Sequence, residues 1–303
     1  MDISCLPIGM FDSGVGGLSV LREIKILMPQ EDLIYFADQA NVPYGSRSLE
    51  EVQKFSMEIT KFLLSQPVKA VVVACNTASA AALRYLREVF PDVPFIGMEP
   101  AVKPATEQTK SGVVGVLATR ATFQGELYAS VLERFAHGVK ILQHTCPGLV
   151  SQIEKGAIDD PETRAILEDA LLPMLEQGID TVVLGCTHYP FVIPVIRSIV
   201  GPNVRVIDPA PAVARQVRRV LESQGTERKV YYDGMVTYYT TGDVASFEHT
   251  VSVLLGGKCQ ATSLTWHDGK LVAHEGSRLS SDVIISDEDK ECCEWRSQNG
   301  VIR

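Results

Sequence analysis

Several features that would place a chain in a class at once are missing here. The first residues, MDISCLPIGMFDSG, carry an early Asp2 and no basic segment, and Pro7 interrupts their apolar stretch, so a signal peptide is not expected. No apolar run approaches the ~20 residues of a membrane span, and no membrane partner is expected. Positive charge is in deficit, with 28 Lys and Arg against 37 Asp and Glu, and the net charge of −9 works against nonspecific attraction to nucleic acid. A small anion could still be held locally by backbone donors. The one glycine-rich turn, Asp12-Ser13-Gly14-Val15-Gly16-Gly17, is neither a Walker loop nor a dinucleotide fingerprint. It reads either as an anion-binding helix start or as an ordinary cap at Asp12 or Ser13. The seven cysteines are odd in number and scattered, unlike a disulfide scaffold, which fits a reducing cytoplasm. Cys186-Thr187-His188 lacks the spacing of a zinc site, so no metal is expected.

What is present is organised around two stretches, Val71 to Ala82 (VVVACNTASAAA) and Thr181 to Phe191 (TVVLGCTHYPF). Each is a β-branched run that stops at a cysteine, followed by a polar pair and a helix start. Such runs read as buried parallel strands, whose C-terminal ends open onto the ligand crevice of an α/β sheet. Both cysteines are therefore expected at strand exits.

The remaining pattern fits two units. With 303 residues and 46% hydrophobic content, the chain can bury a sizeable core and has room for two domains. Strands are expected at Cys5 to Phe11, Leu33 to Ala37, Lys69 to Ala74 and Val93 to Met98, with helices to about Met28, from Leu49 to about Leu64 and to about Phe90. Asn76 or Thr77 is the expected cap of the third helix, and Asp38 to Ser48 is a turn-rich loop. Glu99-Pro100 reads as a crossing point, after which the pattern restarts with a strand at Val113 to Ala118 and one helix to about Phe135. Ile8 to Gly17 aligns loosely with Val114 to Phe123, and each precedes its own cysteine strand by roughly 70 residues, which suggests a duplication. Further on, a strand at Val139 to Gln143, an amphipathic helix at Pro161 to Gln177, a helix at Pro190 to Val200 and a strand at Val204 to Ile207 complete the second unit. The helix at Ala212 to Ser223 is expected to cross back to the first.

The fold class is thus α/β: two pseudo-symmetric lobes with mainly parallel sheets flanked by helices, and an active site in the interlobe cleft. The expected lobes are 1–98 with 209–303, and 99–208. After a strand-like Val230 to Thr240 and a helix at Val244 to Leu255, Thr262 to Glu275 alternates around Asp268-Gly269 as a hairpin. Ser286 to Arg303, with Cys292-Cys293, is polar and expected to be mobile, its thiols of no catalytic interest.

Two cysteines presented alike suggest one acid–base pair. A Cys–His nucleophile would leave Cys75 unexplained. Proton transfer at carbon uses both: enantiomers have equal free energy, so an enzyme interconverting them benefits from a base on each face of the stereocentre. A strand exit beside a helix N-terminus is also expected to lower a thiol's pKa. General acid–base catalysis contributes about 10²–10⁴-fold, too little alone for so weak a carbon acid, so the site is expected to exclude water in a closing cleft. A two-lobed anion-binding protein and a dithiol redox protein remain as alternatives.

At these residues the sequence resembles the cofactor-independent aspartate/glutamate racemase superfamily, the glutamate racemases in particular. Matching segments are Ile8 to Gly17, Pro43 to Gly45, Ala74 to Ser79 (ACNTAS), Leu149 to Gly156 (LVSQIEKG) and Gly185 to Pro190 (GCTHYP), in family order. The resemblance implies L-/D-glutamate as substrate, no cofactor, and a supply of D-glutamate for peptidoglycan; a homodimer is left open, and aspartate racemase is the nearest alternative. It implies Cys75 as the base on the D side and Cys186 on the L side, with Asp12 assisting near Cys75, His188 near Cys186 and Glu154 tuning that histidine. Asp12, Ser13, Tyr44, Gly45, Asn76, Thr77, Thr122, Thr187 and His188 are the implied substrate contacts. Ala121 stands where the family often has glycine, Gln39 to Val42 offers no strong match, and the extension after about 258 has no assigned role.

Overall fold

The computed structural model describes residues 2–99, 101–230 and 233–273. Strands β1 (Ile8–Asp12), β2 (Leu33–Ala37), β3 (Ala70–Val73) and β4 (Phe95–Gly97) alternate with helices α1 (Leu18–Leu27), α2 (Leu49–Ser65) and α3 (Asn76–Val89). A second run holds α4 (Val102–Gln108), β5 (Val113–Ala118), α5 (Arg120–Gln124), α6 (Glu126–Phe135), β6 (Lys140–His144), α7 (Leu149–Glu154), α8 (Pro161–Glu176), β7 (Thr181–Gly185), α9 (Ile193–Val200) and β8 (Arg205–Ile207). Then follow α10 (Ala210–Gln224), β9 (Val236–Thr240), α11 (Val244–Leu255), β10 (Ala261–His267) and β11 (Lys270–Ala273). The expectations for Ser286 to Arg303 and for Cys292-Cys293 lie outside the described residues.

The strands form two sheets, ordered β11-β10-β9-β2-β1-β3-β4 and β6-β5-β7-β8. Every pairing is parallel except β10 with β11. Renumbering the second sheet from its own first strand reproduces the 2-1-3-4 order found at the heart of the first. The two cysteine strands, β3 and β7, therefore hold the same place beside the first strand of their units.

Along β1 the pleat sends Ile8 and Met10 to one hydrophobic cluster and Phe11 to the other, so both faces of the first sheet are covered. Val52, Ile59 and Leu63 of α2 and Leu86 of α3 cover one face. On the other, Leu18, Leu21 and Ile24 of α1 meet Val213, Val217 and Leu221 of α10. The helix that follows the last strand of the second sheet thus packs on the first. No helix among the described residues is long and apolar enough to cross a membrane.

Several elements differ from the sequence pattern: α4 was not expected, and the strand expected from Val230 starts at Val236. Ile3–Cys5 forms a 3-10 turn, and the first strand starts at Ile8 and includes Asp12. The single helix expected to end near Phe135 is broken at Gly125, where the backbone is extended and a Cβ would press on Ala80 of α3. The helix expected from Pro190 opens as a 3-10 turn, Tyr189–Val192, and becomes α-helical only at Ile193. Pro194 cannot donate to the carbonyl four residues back and its ring crowds that carbonyl, but it is tolerated in a first turn.

Candidate active site

The site forms where the C-terminal ends of β1, β3 and β7 face one another. Cys75 lies one residue beyond the end of β3, after Ala74, and is itself the cap of α3, its sulfur accepting from the Ala78 N–H at 3.4 Å. Asn76 or Thr77 was the expected cap; they lie inside the first turn instead. The Cys75 sulfur is 4.0 Å from the Ser13 hydroxyl. Burial, and next the charge of Asp12, push the Cys75 thiol well above its ordinary pKa, and Cys186 adds to the effect. This corrects the expectation of a lowered value: desolvation outweighs the helix terminus. It also shows that the two cysteines lie within electrostatic reach of each other.

Asp12 is fully buried. Its Oδ1 accepts from the Gly14 N–H at 2.8 Å, and its Oδ2 accepts from the Thr187 hydroxyl, across the lobes, at 2.9 Å. Burial raises its pKa, against the lowering effect of His188.

Cys186, directly after β7, lies 3.7 Å from His188 Nδ1. The opposite ring nitrogen, Nε2, is 2.6 Å from Glu154 Oε1. Glu154 also accepts from the Val15 N–H at 2.7 Å and from Gln39 Nε2 at 2.8 Å. Burial disfavours charge on both partners. The hydrogen bonds to Cys186 and Glu154 nevertheless hold the His188 pKa well above its usual value, and the bond to His188 holds Glu154 below its own. The pair is thus an imidazolium and a carboxylate over the middle of the pH range.

The glycines of the first loop matter because the other lobe lies on them. A Cβ at Gly14 would collide with the Glu154 carboxylate, and one at Gly16 with His188 and Thr187. Ser19 closes the same seam by donating to the Thr187 carbonyl at 2.9 Å.

The remaining polar residues form a shelf on the other side. Thr77, Thr119 and Thr122 share their hydroxyls at 2.9 to 3.4 Å, joining the lobes. A Cβ at Gly45 would press on Thr119. The Tyr44 hydroxyl donates to Asp38 at 2.6 Å, so what this turn offers the cleft is its peptide groups at a 3-10 start. Asn76 is buried, and neither its amide nitrogen nor its oxygen has a partner. A buried amide without partners costs about 1–3 kcal/mol, which a bound polar ligand would recover. A cavity of about 580 Å³ adjoins the shelf at Gly45 and Thr119 and is lined by Arg47 and Arg120 with no carboxylate. Among the described residues no cluster of His, Cys, Asp or Glu could hold a metal ion.

A sequence profile for the Asp/Glu/hydantoin racemases matches residues 15–217. The glutamate racemase of Roseiflexus sp. RS-1 is 51% identical over 251 residues, covering 82% of this chain and 92% of that one. The chain belongs to this racemase family. Among solved structures, a glutamate racemase isoform of Bacillus anthracis is 37% identical with a TM-score of 0.78, over 88% of this chain and 98% of that one. The Francisella tularensis glutamate racemase, solved with D-glutamate, is 31% identical with a TM-score of 0.74, over 85% and 96%.

For this member of the racemase family, the structure gathers Asp12, Ser13, Cys75, Asn76, Thr77, Thr122, Glu154, Cys186, Thr187 and His188 at one seam. Two residues of that seam escaped the sequence reading. Gln39 holds Glu154 from 115 positions away, and Thr119 links Thr77 to Thr122. The second had a signal, because Thr119 aligns with Ser13 in the loose repeat. Gln39 had none, since its partner lies in the other lobe.

Proposed function

We propose that the chain is a glutamate racemase that interconverts L- and D-glutamate without a cofactor and supplies D-glutamate for peptidoglycan. The observation that carries this reading is the pair of buried cysteines at equivalent strand exits of two facing sheets. In the D-to-L direction the Cys75 thiolate takes the α-proton, and the Cys186 thiol returns one to the opposite face. The products are L-glutamate, a Cys75 thiol and a Cys186 thiolate; the reverse direction exchanges the roles. His188, 3.7 Å from the Cys186 sulfur and held protonated by Glu154, is placed to return a proton to the Cys186 thiolate. Asp12, whose pKa is raised, is the matching group near Cys75. Asn76, Ser13, the threonines and the Tyr44-Gly45 peptides hold the substrate's carboxylates and ammonium. The buried setting strengthens each of these contacts.

Incubation of unlabelled L- and D-glutamate in D₂O tests this reading, with aspartate alongside. Deuterium is expected at the α-carbon of glutamate, with loss of optical activity from either enantiomer. Binding without exchange would overturn it in favour of an anion-binding protein, and exchange into aspartate alone would replace the substrate.

A further inference from the structure

Asp38 follows β2, is fully buried, and accepts hydrogen bonds from four side chains. Asn41 Nδ2 donates at 3.0 Å and the Tyr44 hydroxyl at 2.6 Å, both to Oδ2. Thr241 donates at 2.8 Å and the Trp266 indole at 2.7 Å, both to Oδ1. A buried carboxylate is stabilised only when its acceptor sites are filled, so these four donors constrain one another's positions. Asn41 and Tyr44 belong to the loop that presents Tyr44-Gly45 to the cleft. Thr241 and Trp266 come from the far end of the chain.

A second connection runs beside the first. The Trp266 ring lies 5.5 Å from that of Phe55, which lies 5.7 Å from that of Tyr44, and the Arg47 guanidinium stands 5.5 Å over Phe55. β10 pairs with β9 only through Ala261, Thr262 and Ser263. From Leu264 onward it is held by β11, so Trp266 lies where the strand has left β9 and reaches toward the loop. Leu264 and Leu271 enter the same cluster as Tyr44.

We infer that Trp266 is a positioning residue for the substrate loop: by donating to Asp38 and packing at a tilt against Phe55, it sets where Tyr44 and Gly45 meet the bound dicarboxylate. This assigns a role to the first part of the C-terminal extension. It rests on the reading of the Tyr44-Gly45 turn as a substrate contact. A group that orders a binding loop acts on the ground state and the transition state alike, so its loss is expected in KM rather than kcat.

The test uses the full chain. W266F keeps a ring against Phe55 and removes the donor, while T241V removes a second donor to the same oxygen, leaving the longer bond from Asn41 Nδ2 at 3.2 Å. W266F is expected to raise KM for L- and D-glutamate alike by about 3- to 10-fold, with kcat within about twofold. The double variant is expected to cost less than the product of the singles, because both act through one carboxylate. A wild-type KM in W266F, a fall in kcat alone, or strictly multiplicative effects would each overturn the inference. If W266F does not fold, T241V is read by the same KM-against-kcat criterion. Failure of the wild type to racemise glutamate would sink the proposed function instead, which separates the two outcomes.

Discussion

The two lobes present their cysteines from the same strand of the same 2-1-3-4 order, yet surround them differently. In the first lobe Cys75 caps a long helix, with Ser13 at 4.0 Å and the Asp12 charge close enough to raise its pKa. In the second, a 3-10 turn replaces the long helix, and Cys186 faces the His188–Glu154 pair. Backbone symmetry therefore matches the symmetry of the reaction, while the side chains make one half acidic and the other an ion pair. The seam couples them. Asp12 bonds Thr187, and Glu154 takes the Val15 N–H, so each lobe completes the other's half.

The comparison breaks most directly at the sulfurs. C75A and C186A are each expected to lower racemisation about 10³-fold or more, with thermal stability nearly kept, as read by circular dichroism of either enantiomer. A variant that retained turnover would show that one base suffices.

D12N and E154Q are expected to sharpen the contrast, each lowering kcat/KM on the order of 10–100-fold. The enantiomers have equal free energy, so kcat/KM must fall equally in both directions. The weakened side shows instead in the isotope effect, which is expected to grow for α-deuterated D-glutamate in D12N and for α-deuterated L-glutamate in E154Q. D12N also removes a charge that raises the Cys75 pKa, so alkylation of that thiol, followed by mass spectrometry, is expected to move to lower pH. Alkylation at unchanged pH would remove Asp12 from the Cys75 side.

The ion pair sets a smaller, pH-dependent difference. Because the folded His188 pKa lies above its ordinary value of 6.5, its stabilisation is complete below that pH and is lost as pH rises through the folded value. Glu154 is held below 4.5, so its share is complete above that pH and is lost as pH falls through the folded value. The wild type's advantage in Tm over E154Q is therefore expected to peak between those two values, at a few degrees, roughly 2–4 °C per kcal/mol. A pH-independent difference would count against the charged pair.

The smallest effect is expected far from the seam. Asp180, before β7, accepts from Thr109 at 2.7 Å and from the Ser111 N–H at 2.8 Å; burial disfavours its charge, but these bonds together hold its pKa down to about 2. Its contribution is present above the ordinary carboxylate value and is lost as pH falls toward about 2. D180N is expected to lower Tm by about 1–3 °C at neutral pH, since the group is only half-buried, with wild-type kcat and KM. A change in kcat would show that the second lobe transmits strain to Cys186.

Much of this architecture was legible before any coordinates. The buried runs at β3 and β7, the helix at Val244–Leu255 and the Asp268-Gly269 hairpin all follow from local period and turn chemistry. Asp268 and Gly269 both adopt positive φ, as a tight hairpin of that type requires. Less legible was what the glycines meet. Gly14 and Gly16 read as allowing close backbone approach at an anion-binding helix start, but what approaches them is Glu154 and His188 of the other lobe. Gln39 and Trp266 carried no signal, since hydrogen bonds spanning 115 and 228 positions leave no periodic trace.

By itself the sequence determined the elements, their repetition and the two thiols at strand ends, because hydrophobic period and capping act over a few residues. Tertiary structure decided what those thiols are like. Burial raised the Cys75 pKa where a helix terminus alone would have lowered it, and the closed seam gave Asp12 and Glu154 their partners across the lobes. The physical reason is that desolvation and charge pairing depend on what lies across the cleft, which no local stretch of chain encodes.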